Sequence, residues 1–273
     1  MTNSINTNTG AIVALQSLNR TNTEMNNVQK RVSTGYKVSD AIDDGAAFSV
    51  AQGLRADVKA YESVNERLGN AKGLLTVAQE GLRGVSDTVA EVRKVLVKLA
   101  DASLGTDERT QYTADYASLK TEIANFAAQA AFNGINLLTG SSTTNVINDP
   151  NGGSFAFVAQ NIAAGATTNL TAGNTYTLAQ ALITATGSLA AFETTVGTAL
   201  STIGGYVRTV SNQVNFISAL SDATTAGIGS IVDADLAKES ARLQSLQIRQ
   251  QLGTQALGIA NRSPESLLSL FRG

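Results

Sequence analysis

A mainly α fold is predicted: a long antiparallel helical bundle or coiled coil with a small β-hairpin region, both termini forming an additional helical coiled coil. Three observations predict it. Within 46–100 the apolar residues Val64, Leu68, Ala71, Leu75, Ala78, Leu82, Val85, Val89, Val92, Leu96 and Leu99 recur in alternating steps of four and three. That is the period of a coiled-coil seam. The 273 residues hold only two prolines, Pro150 and Pro264, so long stretches are free of the residue that breaks helices by removing a donor. Finally, 43% of the chain is hydrophobic but only 5% is aromatic, which suits narrow seams of Ala, Leu and Val.

Each element has its own pattern. Ala11, Ala14, Leu18, Thr21, Met25, Val28 and Val32 share a heptad frame, widened by Ile12 and Leu15, and Ser33-Thr34-Gly35 ends this first helix with a glycine suited to a left-handed cap. Asp40, Asp43 and Asp44 fit N-cap and first-turn positions of the long helix. The short connection Asp101–Asp107, with Thr106 or Asp107 as N-cap, makes the next helix an antiparallel neighbour. That helix carries Tyr112, Tyr116, Leu119, Ile123, Phe126 and Ala130. A third bundle helix carries Leu189, Phe192, Val196, Ala199, Ile203, Tyr206 and Val210, with Val214, Ile217 and Leu220 continuing its face.

Between them, 141–207 has only two charges, Asp149 and Glu193, and its first two-thirds are rich in Thr, Ser, Asn, Gly and Ala. The turn Asp149-Pro-Asn-Gly-Gly153, followed by Ser154–Val158 and later Asn174–Leu178, reads as one or two β-hairpins. Ala226-Gly-Ile-Gly-Ser230 reads as an interruption before Asp233 and Asp235 open the last helix. There Val232, Leu236, Leu243, Leu246, Leu257 and Ala260 lie on one frame, broken by Glu239, Gln250 and Gly253, with a second stripe of Ile248, Leu252, Ala256 and Ile259 beside it. Apolar surface on more than one side means that the terminal helices need partners. The expected organisation is a discontinuous terminal coiled-coil domain (1–44 plus 228–273) and a bundle domain (45–227) that includes a β-hairpin and variable Thr-rich region at 141–187.

Composition also narrows function. The chain has no Cys and no His, which removes thiolate chemistry, Cys-ligated metals and the commonest neutral-pH general base. With 20 Lys+Arg against 22 Asp+Glu, a net charge of −2 gives no electrostatic footprint for nucleic acid or an acidic membrane. The opening residues have neither a basic n-region nor an apolar h-region, so no cleaved secretory signal is expected. No window reaches 18 consecutive apolar residues, so no membrane insertion is expected.

No catalytic residue, metal site or cofactor is predicted. Asp40, Asp43 and Asp44 lack the alternating ligands and bidentate Glu of a calcium loop, and read as caps, as do Asp233 and Asp235. Gly73, Gly81 and Gly84 follow no strand, so they read as sites of close helix approach instead of a phosphate loop. The hydroxyls of Thr167, Thr168, Thr171, Thr175, Thr177, Thr184 and Thr186 are candidate acceptors of O-linked sugars, the alternative being a solvated polar loop.

Several stretches, in order, resemble bacterial flagellins. They are Ser4–Asn8, Val28-Gln-Lys-Arg-Val-Ser-Thr-Gly-Tyr-Lys-Val-Ser-Asp-Ala-Ile-Asp-Asp44, Gly69–Leu82, the turn in Phe132-Asn-Gly-Ile-Asn-Leu-Leu138, Ile231–Asp235 and Gln250–Arg272. The resemblance implies a subunit of the helical flagellar filament, self-assembled through paired terminal helices and exported unfolded by an uncleaved signal through a type III apparatus. It implies as partners other copies of the chain, other flagellins, hook-associated junction and cap proteins, an export chaperone and the export apparatus, with the mature protein in the extracellular filament. The residues expected to carry assembly are Leu15, Leu18, Met25, Val28 and Val32, with Leu236, Leu243, Leu246, Leu257, Leu267, Leu268 and Leu270.

Two departures stand out. Only about 50 residues occupy the place of the outer domains of larger flagellins. In Val89-Ala-Glu-Val-Arg-Lys-Val95, Glu91 stands where a key arginine of the innate-receptor patch would lie, so weak recognition by that receptor is expected. The rival readings are a hook–filament junction protein and a secreted coiled-coil effector or translocator.

Overall fold

The computed structural model describes residues 7–170, 175–184 and 186–270, with side chains through Arg262. Among the described residues, seven helices and two small sheets follow one another: α1 (Thr9–Thr34), α2 (Gly45–Leu99), α3 (Thr106–Gln129), β1 (Ala131–Phe132), β2 (Ile135–Asn136), β3 (Thr143–Ile147), β4 (Ser154–Val158), α4 (Ile162–Asn169), α5 (Tyr176–Ile183), α6 (Ser188–Val232) and α7 (Leu236–Leu270). They form two units, residues 57–222 and residues 1–56 with 223–273.

In the unit 57–222, every one of the heptad positions from Val64 to Leu99 is buried. They join one continuous core with Tyr116 and Ile123 of α3 and with Leu189, Phe192, Val196, Ala199, Ile203, Val210 and Ile217 of α6. Gly73, Gly81 and Gly84 are points of close approach on α2: Phe132, Ala130 with Leu138, and Phe126 occupy the space a side chain there would need. The end of α2 and the turn after it are tied by Arg109, whose guanidinium donates to Leu99 O at 2.7 Å and Asp101 O at 2.8 Å. Helix α3 starts one residue before the predicted caps: Gly105 is the N-cap, and its N–H donates to the Glu108 carboxylate at 3.4 Å. Thr106 and Asp107 lie inside the first turn, and Glu108 reaches back from that turn to the N-cap N–H.

Two antiparallel hairpins follow. In β1–β2 the tip residues Asn133 and Gly134 both have positive φ, 50° and 77°. That is a two-residue turn of the kind Asn-Gly favours. Asn136 donates to Ala127 O and Ala128 O at the end of α3 and accepts from Leu138 N. In β3–β4, strand alternation turns Phe155 and Phe157 inward, and the Phe157 ring lies 5.0 Å from that of Tyr206 on α6. Gln213 of α6 donates to Asn148 O at the hairpin turn.

The expected strand at 174–178 is not formed. Within its described residues, Thr175 caps α5 by accepting from Leu178 N, and the helix buries Ala179 and Leu182. Tyr176 and Leu178 alternate with Thr175 and Thr177 over too few residues to separate strand from helix, and the following Ala-Gln-Ala-Leu run favours helix. Residues 162–169, also within the expected β region, form α4, which lies against α3 and buries Ile162 and Ala166.

In the other unit, the predicted break at 226–230 is also absent, since α6 continues to Val232. The glycines cost about 1 kcal/mol each in helix propensity. Val232, with Ile228 and Ile231 beside it, is buried against Val38 and Ala51, which outweighs that cost. The segment after α1 is tied to the same place by Lys37 N to Val232 O at 2.8 Å and Ala234 N to Gly35 O at 2.8 Å. Gly35, at φ 76°, caps α1 in the left-handed conformation, and its N–H donates to Arg31 O.

Candidate assembly surface

Helices α1 and α7 pair antiparallel, and polar contacts fix their register. Asn8 Nδ2 donates to Ala260 O at 2.7 Å, Gln250 Nε2 donates to Asn22 Oδ1 at 2.8 Å, and Arg31 Nη1 lies 3.5 Å from Glu239 Oε1. Leu18 packs over Gly253, where an added Cβ would stand 3.3 Å from Leu18 Cδ1. The three residues that broke the α7 heptad frame in the sequence, Glu239, Gln250 and Gly253, are therefore the ones that match α1.

The expected assembly residues divide by what this pairing covers. Val28 and Leu246 are buried, 3% and 2% exposed. Leu18, Met25, Val32, Leu243 and Leu257 are half-buried, while Leu15 and Leu236 are exposed. The side chains of Leu267, Leu268 and Leu270 lie outside the described residues. More exposed still are Ile12 and Val13 of α1 and Ile248, Leu252 and Ile259 of α7, at 57%, 64%, 58%, 58% and 73%. The second α7 stripe was visible in the sequence but not among the expected assembly residues; its signal was a second apolar row, which stays exposed among the described residues.

The acidic residues near α2 have structural partners. Asp44 Oδ1 caps α2 by accepting from Ala46 N and Ala47 N, each at 3.0 Å. Lys30 Nζ reaches Asp40 at 2.6 Å and Asp43 at 3.1 Å. The Ser39 backbone N–H, with the Lys30 ammonium and the Ser39 hydroxyl, holds the Asp43 carboxyl well below the usual carboxylate range. On the neighbouring segment, tied to the loop after α1, Asp235 accepts from Lys238 N and so opens α7.

Both charges of 141–207 have partners in the fold. Asp149 accepts from Asn151 N in the β3–β4 turn, and Glu193 forms a two-pronged pair with Arg93 across α2 and α6. Within Val89–Val95, Val89 and Val92 belong to the core, and Glu91 is exposed and paired with Lys94 at 2.6 Å. Of the candidate sugar acceptors, Thr167, Thr168, Thr175, Thr177, Thr184 and Thr186 are exposed. Thr171 lies outside the described residues.

Known proteins carry the same architecture. The family model for the bacterial flagellin N-terminal helical region matches residues 5–143, and that for the C-terminal helical region matches residues 183–271. Flagellin FljK of Caulobacter vibrioides is 38% identical over 271 residues, covering 99% of both chains. A flagellin of Brucella melitensis is 34% identical over 286 residues with the same coverage. Among solved structures, Bacillus cereus flagellin aligns with a TM-score of 0.51 at 19% identity, over 55% of this chain and 88% of that one. A putative flagellar hook-associated protein from Vibrio parahaemolyticus aligns with a TM-score of 0.58 at 14% identity, over 70% and 100%. These two show a shared fold.

Fold and surface together define a self-associating helical structural protein. More specifically, the chain belongs to the bacterial flagellins. It is a structural subunit that polymerises into the extracellular flagellar filament.

Proposed function

We propose that this flagellin polymerises through its terminal helices by coupled folding and assembly. The observation that carries the reading is the apolar surface that the α1–α7 pairing leaves outside itself, where Ile12, Val13, Leu15, Ile248, Leu252 and Ile259 remain exposed among the described residues. Exposed apolar side chains along a helix pair mark an interaction site in a secreted structural protein. Neighbouring subunits bury it, which offsets the cost of ordering the terminal helices. Leu15, Leu18, Met25, Val28 and Val32 with Leu236, Leu243, Leu246 and Leu257 form the pair and its contact faces, and Leu267, Leu268 and Leu270 complete the set of assembly residues. The terminal coiled coil (1–44 plus 228–273) then acts as the inner layer of the filament and the bundle (45–227) as the layer around it.

The chain passes unfolded through a type III export apparatus, escorted by an export chaperone, and meets hook-associated junction and cap proteins and other flagellins in the assembled flagellum. The exposed threonines of 167–186 are its sites of O-linked modification, which the mass of the native protein tests: agreement with the unmodified polypeptide would refute it. Glu91 within Val89–Val95 weakens recognition by the innate flagellin receptor, and strong activation in a receptor reporter assay would contradict that.

Hydrogen exchange tests the central reading. Amides of α1 and α7 are expected to exchange freely in the monomer and become protected in the filament, while the core amides of α2 are protected in both. Equal protection of α1 and α7 in both states would refute coupled folding.

A further inference from the structure

We propose that Ile42 of one subunit seats in a cavity on the bundle of a second copy, adding a contact outside the terminal helices. The proposal rests on the filament reading. Ile42 is 95% exposed, the most exposed large apolar side chain among the described residues. It is also held firmly. Its N–H donates to Asp40 Oδ1 at 2.9 Å, Asp43 N donates to Asp40 O at 3.3 Å, and Lys30 clamps both aspartates. An apolar side chain carried on a turn whose backbone is already closed costs little further backbone ordering when it is buried, which favours binding.

The receiving cavity, about 420 Å³, lies in the unit 57–222 between α2 and the two hairpins. Leu74 and the half-buried Phe132 and Val146 line it, and Ile135 and Ile147, 39% and 44% exposed, also lie in its wall. Arg67 is the one ionised side chain among its described lining residues. The loop that carries Ile42 is acidic on balance, with Asp40, Asp43 and Asp44 against Lys37 of the same loop and Lys30 of α1. An apolar knob with an acidic surround thus matches an apolar cavity with a basic edge. A second copy is the natural occupant, because an apolar projection that fits a pocket elsewhere on the same molecule makes a heterologous, non-closing contact, and such contacts propagate fibres.

The chain has no native Cys, so engineered thiols report without background. Single variants Ile42→Cys and Ile147→Cys are copolymerised with an excess of unmodified subunits and treated with a short bis-maleimide. Covalent dimers are expected only in filaments containing both variants. Filaments that incorporate both without yielding dimers would overturn the contact. As a second measure, Ile42→Ala is expected to raise the protein concentration needed for filament growth about tenfold, from the apolar area lost. An unchanged threshold would likewise overturn it. Failure of the unmodified chain to grow filaments is a separate result, which removes the assembly reading and this contact with it.

Discussion

Gly81 of α2 faces Ala130 at the end of α3 so closely that a Cβ on Gly81 would stand 2.6 Å from that of Ala130 and 3.0 Å from Leu138 Cδ1. Non-bonded carbons do not approach that closely, so something must shift. Gly81→Ala gains about 1 kcal/mol of helix propensity, but overpacking a fixed core costs about 1–3 kcal/mol. The expected net effect in urea unfolding is destabilisation. Gly69, on the same helix, has open space around its Cβ position, so Gly69→Ala is expected to stabilise by about 0.5–1 kcal/mol.

Tyr116 is buried in the bundle core and its hydroxyl has no hydrogen-bond partner. Burial pushes that hydroxyl up to about 12. Because the folded value is raised, the contribution is fully present below the unfolded value near 10 and is lost as pH rises towards 12. The loss is expected to approach roughly 2–3 kcal/mol, at about 1.4 kcal/mol per unit. Tyr116→Phe should abolish this alkaline step and, by removing an unsatisfied group, leave stability at neutral pH equal or slightly higher. Urea unfolding of both proteins across that pH range checks it.

Asp43 gives the opposite sign. Its carboxyl is held low by the Ser39 backbone N–H and then by the Lys30 ammonium, and the Lys30 pKa is itself raised by Asp40 and Asp43. A depressed carboxylate stabilises above its unfolded pKa near 4 and loses that contribution as pH falls through the folded value. Lys30 contributes below its own unfolded value near 10.4, so the turn is fully tied throughout the neutral range. Titration of the Asp43 carboxyl by NMR should end well below the ordinary range and move up in Lys30→Met.

Leu246 and Leu252 of α7 separate the subunit's own fold from its assembly. Leu246 is 2% exposed, so Leu246→Asp places a charge inside the α1–α7 pair and should block polymerisation while the bundle keeps its helical signal in circular dichroism. Leu252 is 58% exposed, so Leu252→Asp removes nothing from the isolated subunit and should still block polymerisation.

Much of this was legible in the sequence. The α2 seam is a long strict repeat with one solution, and each of its positions from Val64 to Leu99 is buried. The glycines of α2, the cap at Gly35 and the hairpin ending at Val158 follow from local chemistry. What misled was short or weakly patterned. Thr175–Leu178 alternates too briefly to distinguish strand from helix. Gly227 and Gly229 read as a break because their propensity is poor, but the burial of Val232 decides the conformation. On the assembly surface, the partner of Glu239 is Arg31, 208 residues away in the chain, and no local period reports such a pairing. Ile42, in the middle of an acidic turn, belongs to no period at all.

Seeded growth tests the central claim most directly. Short filament seeds mixed with the purified monomer, unmodified or Leu252→Asp, are followed by electron microscopy. The account predicts long filaments from the unmodified chain and seeds that stay short with the variant. Unmodified subunits that fail to extend the seeds, or variant subunits that extend them equally well, would contradict assembly through the terminal helices.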